Sequence, residues 1–242
     1  MATTATITPK SNIFLTILTV LAALATVGVV YMSLFYAPTE VTMGEVQRLF
    51  YIHVSTAWVG SLAFGVVLVS GIVYLIRRQL FWDRLALASA EIGLCFMLIA
   101  TVNGAVWGRP VWNTWWTWDP RLTTTTVVIL LYAAYLLLRQ AIEDPHRRAL
   151  FASVYGILSF VSVPVTFLSI RIWRTIHPVV IGSGDPEAMG SMNMTPPMQQ
   201  TFLFSMIALT IIYAALTWHR MRLAQMQENV EQLKYNTMRI HG

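Results

Sequence analysis

The apolar residues of this chain fall into six long runs separated by short polar segments. The runs cover about 13–34, 54–76, 85–106, 122–138, 149–170 and 201–218. A helix needs roughly 17–25 mainly apolar residues to cross the hydrocarbon core of a bilayer, whereas barrel strands alternate and are about half as long. The fourth run is short and opens on four threonines. The pattern predicts an all-α integral membrane protein, with six transmembrane helices in a single domain over residues 1–242.

The composition agrees with lipid as the solvent for most of this chain. Only 11% of its residues are charged and 56% are hydrophobic, and the mean hydropathy is +0.61, whereas soluble domains carry about 25% charged residues. The net charge of +5 would suit nucleic acid, but the basic residues are spread between apolar runs and form no single patch. We therefore expect membrane lipid and no nucleic acid as a partner. The single cysteine, Cys95, permits no internal disulfide.

The arginine and lysine residues indicate the side of the membrane on which each loop lies, because cytoplasmic loops are enriched in both. We expect both termini in the cytoplasm, with an uncleaved first span and a short, frayed helix at 219–242. The loops at about 35–53, 107–121 and 171–200 are expected outside. Eleven basic residues lie in the cytoplasmic set and five in the outer set. The cytoplasmic set is Lys10, Arg77, Arg78, Arg84, Arg139, Arg147, Arg148, Arg220, Arg222, Lys234 and Arg239, and the outer set is Arg48, Arg109, Arg121, Arg171 and Arg174.

The second outer loop carries the strongest chemical signal. Residues 107–121 read WGRPVWNTWWTWDPR and contain five of the nine tryptophans. Anchoring at the lipid headgroups explains one or two tryptophans, but five in one short loop exceed what anchoring needs. If the middle of the loop is helical, Trp112, Trp115 and Trp116 share one face. Such a face is an apolar platform suited to a large planar aromatic ligand.

The placement of histidines adds a candidate metal site. Of five histidines, His53 and His177 fall in outer loops, and the others are interpreted as ordinary cytoplasmic loop residues: His146, His219 and His241. Two imidazoles from separate loops can bind an iron from opposite faces. Each alone is more simply an interfacial histidine with a local hydrogen bond, but the tryptophan loop between them favours the metal site. Because both lie at span ends, we expect the site at the outer rim.

Several other residues near this region have two open interpretations. The five outer arginines can bind carboxylates such as the propionates of haem, or they extend to the headgroups. Asp119 before Pro120 is typical of a helix start. Glu91, inside the third span, is a functional candidate because of its charge, or it pairs with Arg84 or Arg78. Four methionines of the third outer loop could supply a thioether ligand, although loop packing is the simpler role. They are Met189, Met192, Met194 and Met198.

The run at 107–123, WGRPVWNTWWTWDPRLT, resembles the tryptophan-rich WWD signature of the haem-handling proteins of cytochrome c maturation. The length, the six spans, the two outer histidines and the WRTIHP at 173–178 narrow the resemblance to the haem exporter protein C family. Two positions depart from the pattern of that family. Asn113 stands where glycine is expected, and Pro120 stands where alanine is expected.

This resemblance implies a cargo and a set of partners. It implies that His53 and His177 are axial ligands of haem b, which is carried as cargo by a protein that is not an enzyme. It also implies a bacterial inner-membrane protein that passes haem to a periplasmic haem chaperone during c-type cytochrome biogenesis. The implied neighbours are the ATP-binding cassette subunits of the exporter complex and a small single-span accessory subunit. The residues expected around the porphyrin are Trp107, Trp112, Trp115, Trp116, Trp118, Asp119, Arg109 and Arg121.

Two alternatives make different predictions. The larger synthetase-type subunit of the same superfamily is much longer than 242 residues and has more spans and histidines. The membrane subunit of a small-solute transporter without a haem site needs a midplane site, commonly at broken helices, and only Pro164 and Glu91 point to one. The sequence contains no phosphate-binding P-loop motif, so the chain does not hydrolyse ATP by itself.

Overall fold

The structure is a computed structural model that describes residues 12–177 and 194–241. Apart from an isolated bridge between Glu40 and Gly44, the described residues form helices joined by short irregular segments. Six helical stretches are long and apolar enough to cross a membrane, so the predicted all-α membrane protein with six spans is confirmed. The stretches are Ile13–Tyr36, Glu45–Arg77, Leu80–Trp112, Pro120–Gln140, Pro145–Ile172 and Pro196–Glu231.

Seven α-helices lie within the described residues. They are α1 (Ile13–Tyr31), α2 (Arg48–Arg77), α3 (Leu80–Trp112), α4 (Pro120–Gln140), α5 (Pro145–Phe160), α6 (Ser162–Ile172) and α7 (Pro196–His241). α1 continues into a π-helical turn at Met32–Tyr36, and α5 and α6 together form the fifth spanning stretch. We call the end of the bundle where α2 begins and α3 ends the rim end. The opposite end, where α2 ends and α3 begins, is the tail end.

Short polar side chains define several helix starts. The side chain of Asn12 accepts a hydrogen bond from the backbone N–H of Phe14 at 3.1 Å, and Asp144 accepts one from Arg147 at 2.7 Å. Each satisfies a donor that the first turn of a helix leaves without a partner. α4 and α5 both begin with proline, whose fixed φ and missing N–H suit that position.

Helices α2 and α3 pack as an antiparallel pair through small residues. A Cβ added to Gly93 of α3 would lie 2.7 Å from the Cβ of Ala63 in α2, which is too close for two carbon atoms. Small residues allow membrane helices to approach each other closely. Phe64 of α2 stacks on Tyr132 of α4 with ring centroids 3.5 Å apart. α1 packs on α7 and exposes most of its apolar side chains, as expected of a helix that faces lipid.

Ion pairs join the helices at the tail end. Glu91 accepts two hydrogen bonds from Arg220 of α7, at 2.6 and 2.8 Å, whereas Arg84 contacts Glu228 at 2.9 Å. The pairing of Glu91 with Arg84 or Arg78 was therefore wrong, because α7 continues past its apolar run and supplies a closer partner. Glu91 holds α3 to α7.

A second ion pair at this end is buried and was not foreseen from the sequence. Asp83 of α3 accepts hydrogen bonds from Arg139 of α4 at 2.5 and 2.8 Å, and the two residues are 5% and 6% exposed. The hydroxyl of Tyr135 also accepts a hydrogen bond from Arg139, at 3.4 Å. In another contact between helices, His219 of α7 lies 2.8 Å from the hydroxyl of Thr19 in α1, so His219 is a helix contact and not a loop residue.

The six spanning stretches are longer than the apolar runs that predicted them. α7 has 46 residues, about 69 Å at 1.5 Å per residue, which is more than twice the hydrocarbon thickness of about 30 Å. The predicted short, frayed helix at 219–242 is instead a continuation of α7. The outer loops shrink correspondingly, because α2 begins at Arg48 and α3 continues to Trp112. Of the third outer loop, 178–193 lies outside the described residues.

Candidate ligand-binding site

A cavity opens at the rim end between α2, α3, α4 and α6. The space between its walls is about 1000 Å³, a figure that includes solvent at its open side. Mostly apolar walls with a few polar groups are typical of ligand sites. We call this space the rim cavity. It is lined by Phe50, His53, Val54, Ala57, Ser61, Met97, Ala100, Thr101, Gly104, Ala105, Trp107, Trp112, Trp116, Arg121, Leu122, Thr125, Val128, Val163, Thr166, Phe167 and His177.

His53 lies in the second turn of α2, not in the loop before it, and its side chain lines the rim cavity. Its Nδ1 is 2.9 Å from the carbonyl oxygen of Ala100 in α3. Because a carbonyl oxygen only accepts hydrogen bonds, Nδ1 carries the proton and Nε2 keeps its lone pair. A Cβ added to Gly104 would lie 2.7 Å from Cε1 of His53, so this glycine leaves space for the ring. The imidazole is thus held in the tautomer that can bind a metal through Nε2.

His177 reaches the same cavity from the segment that follows α6. The ring centroids of His53 and His177 are 6.3 Å apart, and the two planes are inclined by 39°. Two metal–imidazole bonds of about 2.0 Å, with about 1.1 Å from each nitrogen to its ring centre, place the ring centres about 6 Å apart. The structure therefore brings the two histidines to a separation at which one metal ion fits between them.

The described residues offer two imidazoles to one metal ion at this site. Within the described residues, no group of three or more histidine, cysteine, aspartate or glutamate side chains is arranged to hold a metal ion. A bare zinc ion takes about four ligands, at least three of them from protein. Two imidazoles suffice for a metal that brings its own equatorial ligands, as iron in a porphyrin does.

Three of the five clustered tryptophans form part of the cavity wall. Trp107 and Trp112 lie in the last turns of α3, with ring centroids 5.0 Å apart in an edge-to-face arrangement. The ring of Trp112 is also 6.3 Å from that of His177. Trp116 joins them from the irregular segment after α3. The indole nitrogen of Trp107 is buried and has no hydrogen-bond partner among the described residues, so a bound ligand can supply one.

The predicted helical platform of Trp112, Trp115 and Trp116 was wrong in its geometry. α3 ends because Asn113 adopts a left-handed conformation with φ 54°, a conformation that glycine and asparagine adopt most readily. The residues that follow are irregular, and Trp115 and Trp118 are 59% and 72% exposed. Neither lines the rim cavity. Asn113 fulfils the role expected of glycine at this position.

Arg121 is the outer arginine that lines the rim cavity. Its Nη1 donates a hydrogen bond to the carbonyl oxygen of Thr166 at 2.5 Å, and its guanidinium lies 5.0 Å from the ring centre of Phe167. Arg109 is exposed and donates to the backbone and side-chain oxygens of Asn113, at 2.6 and 2.5 Å, which caps the end of α3. The outer arginines that do not line the cavity are Arg48, Arg109, Arg171 and Arg174.

Asp119 lies beside the cavity and connects two structural elements. One carboxylate oxygen accepts a hydrogen bond from the backbone N–H of Leu122 at 2.9 Å, so the predicted cap of α4 is confirmed. The other oxygen accepts a hydrogen bond from the hydroxyl of Thr175. The hydroxyl oxygen of Thr175 in turn accepts one from the backbone N–H of His177 at 3.1 Å. We call residues 112–119 the tryptophan segment, and this connection between it and His177 was not foreseen.

Other residues of the site were also missed. Small residues recur every four positions on one face of α3, at Ala100, Gly104 and Gly108. This spacing could have predicted that another part of the chain packs closely against that face. Thr166 and Phe167 come from a helix distant in the sequence, and no motif marks them.

The methionines of the third outer loop were candidate thioether ligands. Met198 is buried in a cluster with Phe50 and Phe202, and Met194 packs against that cluster. Met194 and Met198 therefore have the packing role that was the simpler of the two interpretations. Met189 and Met192 lie outside the described residues.

The fold and the site define a multi-pass membrane protein with an aromatic-walled cavity that presents two histidines at one rim. The profile of a family described as Heme exporter protein C matches residues 1–236. The chain belongs to this family. With six membrane-spanning helices and bacterial relatives, it is a multi-pass protein of the bacterial inner membrane.

Relatives from three bacteria share the name Heme exporter protein C. The relative from Bradyrhizobium diazoefficiens is 30% identical over 181 residues, which cover 74% of this chain and 69% of that protein. The relative from Haemophilus influenzae is 28% identical over 205 residues, which cover 85% of this chain and 81% of that protein. The relative from Rhodobacter capsulatus is 37% identical over 132 residues, which cover 52% of this chain and 54% of that protein.

Proposed function

We propose that this chain binds haem b as cargo in the rim cavity and delivers it for the biogenesis of c-type cytochromes. In this proposal His53 and His177 bind the iron from opposite faces, and Trp107, Trp112 and Trp116 enclose the porphyrin. The observation that carries the proposal is the 6.3 Å separation of the two imidazole rings in a cavity walled by tryptophan. Family membership supports it, because the relatives are named for haem export.

Burial and shape supply most of the binding in this proposal. A planar porphyrin gains from stacking and from the exclusion of water, and each buried indole contributes a few kcal/mol at most. Arg121 pairs with a propionate at the edge of the cavity, an interaction of about 1–3 kcal/mol. Trp115, Trp118 and Arg109 were also expected around the porphyrin. Trp115 and Trp118 are 59% and 72% exposed, and Arg109 is exposed and bonded to Asn113, so we assign all three to the surface of the rim.

We further propose that the rim end faces the periplasm. The chain termini and the loops at the tail end contain eleven basic residues, whereas the loops at the rim end contain five. This difference supports the orientation, because cytoplasmic loops are enriched in arginine and lysine. Haem at that rim is accessible to a periplasmic haem chaperone, which receives the cargo. The family resemblance adds the ATP-binding cassette subunits of the exporter complex and a small single-span subunit as partners. The role is transport and delivery, with no catalytic step.

The alternative of a small-solute transporter requires a separate site near the middle of the membrane. The two residues that pointed to such a site have other roles in the fold. Glu91 is paired with Arg220. The break between α5 and α6 lies beside Pro164, and the adjacent Val163 lines the rim cavity. The helix break therefore contributes to the proposed haem site.

The absorption spectrum of the full chain, purified in detergent, tests this function. The parent should carry six-coordinate haem, whereas a transporter should be colourless. His53→Ala and His177→Ala should each give five-coordinate haem, and added imidazole should return both to the parent spectrum. His146→Ala is the matched control because its side chain is exposed at the tail end, and it should keep the parent spectrum. A colourless parent, or a parent spectrum from either histidine variant, would contradict the proposal.

A further inference from the structure

The two proposed iron ligands are held in different ways. His53 belongs to a helix, and its ring is fixed by the carbonyl oxygen of Ala100. His177 belongs to no helix, because α6 ends at Ile172 and Trp173 is extended, with φ −119° and ψ 153°. A metal ligand on an irregular segment needs other contacts to fix its position, since a small displacement changes coordination.

Hydrogen bonds that Asp119 accepts provide such a contact. Asp119 is itself fixed at the start of α4, where it caps the N–H of Leu122 at 2.9 Å. Its second carboxylate oxygen accepts the hydroxyl hydrogen of Thr175. The oxygen of Thr175 then accepts the backbone N–H of His177 at 3.1 Å. The start of a membrane helix is thus connected, through one hydroxyl group, to the backbone of a proposed axial ligand.

We propose that Thr175 is a positioning residue that holds His177 at the haem iron by bonding it to Asp119. This inference rests on the proposed function. The contact requires a group that donates to the carboxylate and accepts from the N–H at once, which a hydroxyl does and a methyl group cannot. A donor bonded to an ionised carboxylate makes a stronger hydrogen bond than a neutral pair. Thr175 touches neither the iron nor the porphyrin in this role.

The variant Thr175→Val tests the role because valine keeps the branched shape and loses the hydroxyl. In the full chain purified with its haem, the ratio of six-coordinate to five-coordinate haem should fall by about tenfold or more, toward the spectrum of His177→Ala. Added imidazole should restore the six-coordinate spectrum. Thr175→Ser retains the hydroxyl and should keep the parent ratio.

A threonine of α4 provides the matched control. Thr126 bonds the carbonyl oxygen of Leu122 at 3.0 Å and does not line the rim cavity, so Thr126→Val should keep the parent spectrum. If Thr175→Val fails to fold, Thr175→Ala carries the same test with a smaller side chain.

Comparison with Thr175→Ser and His177→Ala separates this inference from the proposed function. A parent spectrum from Thr175→Val, together with a changed spectrum from His177→Ala, overturns the role of Thr175 alone. Five-coordinate haem in Thr175→Ser as well as in Thr175→Val also overturns it, because the hydroxyl then has no effect. A parent spectrum from His177→Ala instead removes His177 as a ligand and contradicts the proposed function.

Discussion

Arg109 and Arg121 flank the same tryptophan segment and carry the same charge, but they contact different groups. Arg109 is occupied by Asn113 at the end of α3, whereas Arg121 lies in the cavity wall beside Thr166 and Phe167. The position of a residue in the sequence does not distinguish these roles, because they depend on where α3 stops. The contacts of each side chain therefore distinguish an arginine that caps a helix from one that can bind a ligand.

Replacing the two arginines should affect haem retention differently. Arg121→Ala should weaken haem binding by about 1–3 kcal/mol, because a charge-assisted contact with a propionate is lost. The absorption maximum should stay unchanged, since the iron ligands are untouched. Arg109→Ala should leave haem affinity unaltered and lower stability by up to about 1 kcal/mol through the lost cap. Haem titration of both purified variants checks this, and equal losses of affinity would contradict the assignment.

Two helical glycines give a matched pair that tests the position of His53. A Cβ at Gly104 would lie 2.7 Å from the His53 ring, whereas a Cβ at Gly65 meets no atom closer than 3.8 Å. Gly104→Ala should therefore displace the imidazole and convert part of the haem to the five-coordinate form. Gly65→Ala should be neutral or slightly stabilising, because alanine is the better helix former by about 1 kcal/mol. Absorption spectra and thermal unfolding in detergent measure both effects, and an unchanged Gly104→Ala spectrum would show that the ring tolerates the added methyl.

At the scale of helices, the apolar runs identified every span but not the helix ends. Apolar periodicity is lost at the lipid headgroups, where Arg48 and Trp112 still extend α2 and α3. The ends depend on local conformation, such as the left-handed Asn113, and on partners from distant helices, such as Arg220 for Glu91. Sequence patterns on one helix do not carry that information.

The buried pair between α3 and α4 gives a prediction at this scale. Arg139→Met leaves Asp83 buried without its partner and should destabilise the protein by about 3–5 kcal/mol. Adding Asp83→Leu should recover most of the loss, because an apolar pair of similar volume removes the uncompensated charge. Thermal unfolding of the purified variants in detergent provides the measurement.

The matched control for this pair is Glu228→Gln, which breaks a partly exposed contact with Arg84 and should cost less than about 1 kcal/mol. If the Arg139 and Glu228 variants lose similar amounts of stability, burial does not determine how much the Asp83–Arg139 pair stabilises the protein.

At the scale of the whole molecule, the chain brings the proposed haem-binding residues together at one end of the bundle. The sequence alone allowed this convergence to be predicted, because alternating spans place His53, Trp112 and His177 on the same side. It did not reveal Thr175 or Gly104, since the role of Thr175 depends on the segment after α6 meeting Asp119 and that of Gly104 on α3 lying against His53. Nor could it separate Trp116, which lines the cavity, from its exposed neighbour Trp115.

The orientation of the molecule in the membrane gives the last prediction. Delivery to a periplasmic chaperone requires the rim end to face the periplasm, which the basic residues of the tail-end connections favour.

With Cys95→Ala as the background, Val41→Cys places a thiol at a rim-end residue that is 98% exposed. Glu143→Cys places one in the exposed connection between α4 and α5 at the tail end. A membrane-impermeant maleimide should label Val41→Cys in intact spheroplasts and should label Glu143→Cys only after lysis. The reverse pattern would put both histidines on the cytoplasmic side and would contradict the proposed delivery of haem at the periplasmic face.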